Sequence, residues 1–339
     1  MADIYQAGSE GAVAGAARAL AAGGLAVLPT ETVYGLAADA TNPDAVAAIY
    51  AAKGRPSFNP LIAHVDSMAM ARGCGSFSED ANRLAAAFWP GPLTLVVPRA
   101  PGSPVAELAT AGLDSIAIRM PAHETMRRII GALGRPLVAP SANASGRITA
   151  TRLEDALADL EPHIAVGIDD GPCRLGIEST IVACLGGAPV LLRPGAVPRE
   201  EIERVAGRLA SPATSAGPQA PGMLASHYAP GAPVRLNARG VRPGEALMDF
   251  AGGNAGARGE AAAYADLSPS GDDREAAARL FETMRLLDAG KPVAIAVSPI
   301  PDAGLGLAIN DRLRRAAAPR DPAGMTETEP ASKPTDETS

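Results

Sequence analysis

Short apolar runs alternate with helical patterns along the first two hundred residues, and this alternation restricts the fold more than any other feature of the chain. The run LAVL at residues 25–28 is typical of a buried strand, and a helix is predicted from Pro43 to residue 52 with Asn42 as its N-cap. Strands that alternate with helices predict an α/β domain. Gly186-Gly187 between two runs predicts a hairpin, so the sheet is expected to be mixed.

The same patterns predict the remaining elements of this domain. Further strands are expected at residues 61–65, 93–97, 115–119, 136–139, 180–184 and 190–192. Helices are expected at residues 11–22, 79–88, 123–133, 153–160 and 200–209.

The composition changes at residue 209. Residues 209–232 are dense in Pro, Gly, Ser and Ala and lack hydrophobic periodicity, which is typical of a linker. Strands at 246–250, 261–267 and 293–297 and helices at 272–289 and 308–317 then predict a smaller α/β domain. We therefore expect a first domain at 1–208, a linker, a C-terminal domain at 233–318 and a disordered acidic tail at 319–339.

Charge and cysteine content exclude several classes of protein. The formal net charge is −7, of which residues 321–339 carry −4, so a strongly basic surface for nucleic acid is disfavoured. Three cysteines without a C-x-x-C pair argue against a disulfide framework and a structural zinc site. We find no signal peptide and no apolar stretch of membrane-spanning length, so a cytoplasmic location is expected.

Polar side chains stand where several predicted strands end, at positions where open α/β sheets bind ligands. Lys53 and Arg55 form a cationic loop suited to phosphate, and Lys53 is one of only three lysines among 30 basic residues. With Arg119 and Arg193 they indicate convergence on one anionic ligand. The loop at residues 139–147 offers hydroxyls, an amide and backbone N–H groups, although its composition is equally that of an ordinary turn.

Common catalytic signatures are absent from the sequence. There is no G-x-x-x-x-G-K-[ST] loop, no H-E-x-x-H, no G-x-S-x-G and no G-x-G-x-x-G after the first run. A nucleotide would therefore be bound by other means.

Eight segments, in order along the chain, resemble the YrdC-like family in its long two-domain form, the L-threonylcarbamoyladenylate synthases. They are PTETVYGL (29–36), KGRPSFNPL (53–61), WPGPLTL (89–95), IRMP (118–121), APSANASGR (139–147), GIESTI (176–181), LRPG (192–195) and PGMLASHYAP (221–230). The resemblance implies a YrdC-like twisted mixed-sheet domain followed by a smaller α/β/α Rossmann-like domain.

The resemblance also implies an activity. ATP, L-threonine and bicarbonate or carbon dioxide would give threonylcarbamoyl-AMP and pyrophosphate, a nucleotidyltransferase reaction that begins the formation of N6-threonylcarbamoyladenosine in tRNA. Mg²⁺ is expected through the phosphates of ATP rather than at a metal site of the protein. The product would pass to a downstream tRNA threonylcarbamoyl-transferase complex, and no stable binding of nucleic acid or membrane is expected.

The family pattern implies a role for each matching residue. As a catalytic set it implies Lys53, Arg55, Ser141 and Asn143. For threonine it implies Thr32, His64, Arg119, the backbone of Ala139, and Ser179, with Arg119 as the partner of the carboxylate. For ATP it implies Arg55, Asn59, Ser115, Ser141, Thr149, Arg193 and Tyr228. Without the resemblance, His64 in its apolar run reads more simply as a core histidine.

The linker resembles a segment that folds over the active site in this family. We expect residues 209–232, with Pro221-Gly222-Met223 and His227-Tyr228, to form a lid that excludes water from a hydrolysable anhydride.

Two other functions are compatible with the first domain. One is an RNA-binding YrdC-type module without catalysis. The other is a carbamoyltransferase of the hydrogenase-maturation type, which the absence of cysteine pairs disfavours.

Overall fold

The computed structural model describes residues 2–210 and 227–319, and within these ranges the chain forms two sheets. The strands are β1 (Asp3–Gln6), β2 (Leu25–Leu28), β3 (Gly35–Asp39), β4 (Ile62–His64), β5 (Leu93–Pro98), β6 (Ser115–Arg119), β7 (Leu137–Val138), β8 (Ile164–Asp169), β9 (Thr180–Ala183), β10 (Val190–Arg193), β11 (Val234–Arg235), β12 (Ala246–Asp249), β13 (Tyr264–Asp266) and β14 (Ile295–Val297). The α-helices are α1 (Ala12–Ala21), α2 (Pro43–Lys53), α3 (Met68–Cys74), α4 (Glu79–Phe88), α5 (Glu124–Leu133), α6 (Leu153–Leu160), α7 (Arg199–Ala206), α8 (Asp273–Ala289) and α9 (Gly306–Ala317).

The larger sheet has ten strands in the order β1-β8-β2-β3-β7-β4-β6-β5-β9-β10. Its pairs β1–β8, β8–β2, β4–β6 and β5–β9 are parallel, whereas the others are antiparallel. The expected mixed sheet is therefore confirmed. The predicted hairpin at Gly186-Gly187 joins the antiparallel strands β9 and β10, and both glycines have positive φ, at 112° and 71°.

Local sequence signals explain several of the helix ends. Asn42 Oδ1 accepts hydrogen bonds from the backbone N–H groups of Asp44 and Ala45, at 3.0 and 3.2 Å, and so caps α2 as predicted. The helix expected at residues 200–209 is shorter than predicted. It ends at Ala206 because Gly207 has a φ of 77° and leaves the helical conformation.

Several elements were missed by the sequence patterns, namely β1, β3, β8, β11 and α3. In β8, Gly167 interrupts the apolar run, and the strand forms through its pairing with β1 and β2. A Cβ at Gly167 would lie 2.7 Å from Ile4 Cδ1 and 3.1 Å from Leu153 Cδ1. The glycine therefore allows side chains from β1 and α6 to pack closely on the sheet.

The smaller sheet is parallel and has the order β11-β14-β12-β13. Met248 and Val297 on one of its faces belong to an apolar cluster with Leu280 and Phe281 of α8 and Leu313 of α9. The structure therefore confirms the two-domain α/β architecture.

Some predictions fall on residues that the structure does not describe. Residues 211–226 of the linker, including Pro221-Gly222-Met223, and residues 320–339 of the tail lie outside the described residues. In the described ranges, no helix combines the length and the apolar character that a membrane span needs.

Candidate active site

Loops that follow several strands of the large sheet meet at a small cavity of about 50 Å³. Nine of the fourteen residues predicted for the site line it: Thr32, Arg55, His64, Arg119, Ala139, Ser141, Ser179, Arg193 and Tyr228. Residues far apart in the chain are therefore brought together by the fold. A cavity of this size holds only a few water molecules, so a nucleotide can enter only if the walls move outward.

Arg119, at the end of β6, is buried beside Glu31 and Thr32. Its Nη2 lies 2.7 Å from Glu31 Oε1, and its Nη1 donates a hydrogen bond to Thr32 Oγ1 at 3.0 Å. Burial opposes the ionisation of Glu31, but the charge and hydrogen bonds of Arg119 hold the pKa of this carboxyl below its usual value. The guanidinium is thus oriented within the protein, and its planar fork suits a carboxylate.

His64, at the end of β4, lines the cavity as a neutral side chain. Burial and the nearby charge of Arg119 lower the pKa of His64 to about 3. Its Nδ1 lies 3.2 Å from the carbonyl oxygen of Ile62. Because a carbonyl only accepts hydrogen bonds, this contact assigns the proton to Nδ1. Nε2 therefore carries a lone pair and can accept a hydrogen bond from a ligand.

Arg193, at the end of β10, is packed against Ser179. Its Nη2 donates to the carbonyl oxygen of Ser179 at 2.9 Å and to Ser179 Oγ at 3.2 Å. Ser179 Oγ also lies 2.8 Å from Thr94 Oγ1 on β5. A residue predicted for the threonine side and one predicted for the ATP side are therefore joined directly.

Arg55, just after α2, lines the cavity while its guanidinium is bound to its own loop. Its Nε donates to the carbonyl oxygen of Asn59 at 3.2 Å, and its Nη2 donates to that of Pro60 at 3.0 Å. Burial lowers the pKa of Arg55 to about 10, so the side chain stays positively charged at neutral pH. The loop after α2 thus places a fixed cation at the wall of the cavity.

Lys53, the last residue of α2, lies behind the cavity wall and does not line it. Its side chain is buried, and Nζ donates hydrogen bonds to the carbonyl oxygens of Ser141, at 2.6 Å, and Asn143. Burial and the neighbouring charge of Arg55 lower the pKa of Lys53 to about 7. In this structure Lys53 holds the loop that carries Ser141.

The four other predicted residues outside the cavity lining are Asn59, Ser115, Asn143 and Thr149. Asn143 and Asn59 are buried, and among the described residues their Oδ1 atoms have no hydrogen-bond partner. Thr149 Oγ1 donates to Glu178 Oε1 at 3.0 Å. Ser115 begins β6, four residues from Arg119, which places it roughly 13 Å away along the strand. The structure therefore does not bring Ser115 to the cavity.

Four residues that the sequence did not assign also belong to the site, namely Glu31, Thr94, Glu178 and Arg312, and His227 of the predicted lid lines the cavity. Glu178 lines the cavity, and burial alone would raise its pKa. The charges of Arg312 and Arg193 outweigh burial and lower the pKa of Glu178 to about 2. The sequence did contain a signal for Glu178 and Glu31. Glu178 precedes the predicted ligand residue Ser179 in GIESTI, and Glu31 precedes Thr32 in PTETVYGL.

A larger cavity of about 530 Å³ has Glu31 among its lining residues. His123, Asp170 and Arg174 are among its lining residues, and none of the fourteen predicted site residues is. We therefore locate the site by the convergence of its side chains and not by the size of the cavity.

Comparison with known proteins identifies the family of both domains. A family model described as "Telomere recombination" (Sua5/YciO/YrdC) matches residues 18–195, and one described as "Threonylcarbamoyl-AMP synthase, C-terminal domain" matches residues 197–318. The chain is 39 % identical over 324 residues to the threonylcarbamoyl-AMP synthase of Bacillus subtilis (strain 168), covering 91 % of this chain and 93 % of that protein. It is 40 % identical over 314 residues to that of Pyrococcus abyssi, covering 88 % and 92 %.

A solved structure agrees with these matches. The crystal structure of P. abyssi Sua5 complexed with L-threonine superposes with a TM-score of 0.84 at 36 % identity, covering 94 % of this chain and 97 % of that one. Sequence and structure thus agree over both domains, and the chain belongs to the two-domain threonylcarbamoyl-AMP synthase family.

Proposed function

We propose that this chain converts ATP, L-threonine and bicarbonate or carbon dioxide into threonylcarbamoyl-AMP and pyrophosphate. This reaction is the first step in forming N6-threonylcarbamoyladenosine in tRNA. The observation that carries the proposal is a single cavity lined by residues predicted for both substrates. Thr32, His64 and Arg119, predicted for threonine, line it together with Arg55 and Arg193, predicted for ATP. Membership of the threonylcarbamoyl-AMP synthase family gives the reaction.

On the threonine side, Arg119 binds the carboxylate through its planar guanidinium, which Glu31 and Thr32 hold in place. The free Nε2 of neutral His64 accepts a hydrogen bond from the substrate hydroxyl or amine. Ser179 and the backbone of Ala139 complete this side of the cavity.

On the nucleotide side, Arg55 and Arg193 supply positive charge for the phosphates. Ser141 and Asn143 bind phosphate or ribose, and the buried Oδ1 of Asn143 is an acceptor suited to a ribose hydroxyl. Lys53 acts mainly by holding their loop, while Asn59, Thr149 and Tyr228 complete the ATP side. The distance of Ser115 from the cavity makes it the weakest member of the set.

The chemistry needs positioning more than covalent help. The threonine amine adds to carbon dioxide and loses a proton to give an N-carboxylate. One oxygen of this carboxylate then bonds to the α-phosphorus of ATP as the bond to pyrophosphate breaks. The N-carboxylate is a weak nucleophile, so alignment and neutralisation of the triphosphate supply most of the catalysis.

We propose that Mg²⁺ reaches the site bound to the phosphates of ATP. Among the described residues, no group of three or more His, Cys, Asp or Glu side chains is arranged to hold a metal ion. Ser141 and Asn143, which we propose bind phosphate or ribose, carry oxygens that suit a hydrated magnesium ion. When bound, the ion would neutralise charge on the triphosphate and on the leaving pyrophosphate.

We also propose a role for each segment of the chain. Residues 1–208 form the catalytic domain, residues 209–232 a linker and lid, residues 233–318 the C-terminal domain and residues 319–339 an acidic tail. Two observations support the proposal of a lid. Tyr228 lines the cavity, and the backbone N–H of Ala229 donates to the carbonyl oxygen of Gly146 at 2.8 Å. The chain would act in the cytoplasm and pass its product to a tRNA threonylcarbamoyl-transferase complex.

Mass spectrometry of the product tests this function. Purified protein with ATP, threonine and bicarbonate should form threonylcarbamoyl-AMP, and pyrophosphate release should need both threonine and bicarbonate. Arg55→Ala should abolish both signals, whereas Arg83→Ala, in an exposed ion pair of α4, should retain them. Salt-dependent binding of tRNA without consumption of ATP would favour the RNA-binding alternative and contradict the proposal.

A further inference from the structure

The C-terminal domain packs against the backs of loops that carry the catalytic site. Val33, Ile148 and Ile177 belong to the same apolar cluster as Leu280 and Phe281 of α8. Each of the three lies next to a site residue in the chain, namely Thr32, Thr149 and Glu178. The C-terminal domain therefore packs against residues that are chain neighbours of the site.

Arg312 of α9 makes the deepest of these interdomain contacts. Its side chain is fully buried, with an exposed fraction of 0 %. Its Nε donates to Glu178 Oε2 at 2.9 Å, and its Nη1 donates to the carbonyl oxygen of Pro194 at 2.9 Å and to Asp311 Oδ2 at 2.7 Å. Glu178 and Pro194 adjoin the site residues Ser179 and Arg193 in the chain, so both strand ends are bound to α9.

The same guanidinium supports Tyr228. Its central carbon lies 5.4 Å from the centroid of the Tyr228 ring, in the geometry of a cation–π contact. Phe281 of α8 also contacts this ring, and it is stacked on Tyr228 with centroids 5.4 Å apart. Tyr228 also has a φ of 64°, a left-handed conformation that a bulky residue adopts only when its surroundings enforce it.

The hydrogen bonds and the ring contact use different parts of the Arg312 guanidinium. The N–H groups at its edge are used by Glu178, Pro194 and Asp311, which fix the plane of the group. The central carbon of the group then lies over the Tyr228 ring. A lysine ammonium is a point charge without a plane, and it cannot satisfy these acceptors and support the ring together.

We propose that Arg312 is a positioning residue for the reaction, through which the C-terminal domain sets the position of Tyr228 at the cavity. The proposal rests on the proposed function, and it gives the second domain a part in the active site. Arg312 acts through Tyr228 and does not itself contact the substrate.

Arg312→Lys is the first test, with threonine-dependent pyrophosphate release as the assay. We expect kcat/KM for ATP to fall by about tenfold or more, the factor that corresponds to loss of one buried charge-assisted hydrogen bond. Arg314→Lys is the matched control, because Arg314 lies on the same helix in an ion pair with Asp302 that is 55 % exposed on both sides. This control should retain the kinetics of the wild-type chain.

A double-variant cycle separates positioning from general support of the fold. If Arg312 acts through Tyr228, adding Arg312→Lys to Tyr228→Ala should lower kcat/KM for ATP by less than about threefold further. The inference would be overturned if the double variant lost the full product of the two single-variant losses in kcat/KM for ATP. It would also be overturned if kcat/KM for ATP of Arg312→Lys stayed within about twofold of wild type. The midpoint of urea unfolding, measured for each variant, reports any loss of stability separately.

Two further measurements keep the test decisive. If Arg312→Lys does not fold, Glu178→Gln keeps the shape of the partner and removes the charge that orients the guanidinium, so the same cycle with Tyr228→Ala applies. A wild-type chain without threonine-dependent pyrophosphate release contradicts the proposed function. An active wild type with an unaffected Arg312→Lys variant contradicts only the role of Arg312.

Discussion

Glu31 and Arg119 form a buried ion pair at the edge of the candidate site, with 2.7 Å between Oε1 and Nη2 and side chains that are 5 % and 4 % exposed. The pair joins the loop after β2 to the end of β6. Nη1 of the same guanidinium donates a hydrogen bond to Thr32 Oγ1. Arg119 is thus held in a defined orientation at the cavity wall, which lowers the entropy cost of binding a carboxylate there.

Glu31→Gln should weaken threonine binding. The variant keeps the shape of the side chain but removes the charge that orients Arg119, so we expect the KM for threonine to rise by roughly tenfold, the cost of one charge-assisted hydrogen bond. The KM for ATP should change much less. Steady-state pyrophosphate release measures both, and Glu79→Gln in the exposed pair with Arg83 is the control. An unchanged KM for threonine would show that Glu31 does not position Arg119.

Lys53→Met should damage catalysis through the loop at residues 139–147. The substitution preserves most of the side-chain volume but leaves the carbonyl oxygens of Ser141 and Asn143 without their donor. We expect kcat to fall by about 100-fold, because a misplacement of about 1 Å in active-site geometry can cost that much. Lys291→Met, at an exposed lysine of the C-terminal domain, provides the comparison and should be fully active. Near wild-type turnover in Lys53→Met would contradict the site assignment.

Acid should destabilise the protein before its carboxylates titrate. Burial lowers the pKa of both His64 and His227 to about 3, whereas an unfolded histidine titrates near its ordinary value of 6.5. Between these values the unfolded chain binds more protons than the folded one, so the free energy of unfolding falls as the pH drops below 6.5. From pH 7 to pH 5 the loss should be about 2 kcal/mol for each histidine.

Urea unfolding at several pH values measures this effect. The His64→Gln and His227→Gln variants should each have a flatter dependence of stability on pH between 7 and 5. His163→Gln, at an exposed position, should keep the slope of the wild-type chain. Equal slopes in all four proteins would mean that neither buried histidine resists protonation.

Gly176→Ala should destabilise the contact between the two domains. Gly176 has a φ of 62°, and a Cβ placed there would lie 2.2 Å from the carbonyl oxygen of Ala278 on α8. We expect a loss of about 3 kcal/mol, from the left-handed conformation together with overpacking. Gly134→Ala is the matched control, since its φ is 69° and nothing lies within 4 Å of the added Cβ. If both variants lose the same stability in urea, the close approach to α8 has no energetic consequence.

The sequence by itself determined most of the local elements and many of the residues that line the cavity. Helix caps such as Asn42 and apolar runs such as LAVL act over a few residues, so their structures follow from nearest neighbours in the chain. The motifs that resemble the family predicted nine residues that now line one cavity. β3 escaped prediction because GLAAD contains no β-branched or aromatic residue, and only its pairing with β2 and β7 makes it a strand.

Only the tertiary structure decided which charges meet. Glu31 pairs with Arg119 across 88 positions and Glu178 with Arg312 across 134, and no local pattern encodes contacts over such separations. Their ionisation states follow from the same packing, because burial and the partner charge act in opposite directions on each carboxyl. The place of Arg312 at the active site depends on how the second domain docks, and the free energy of that docking comes from surfaces that exist only after both domains have folded.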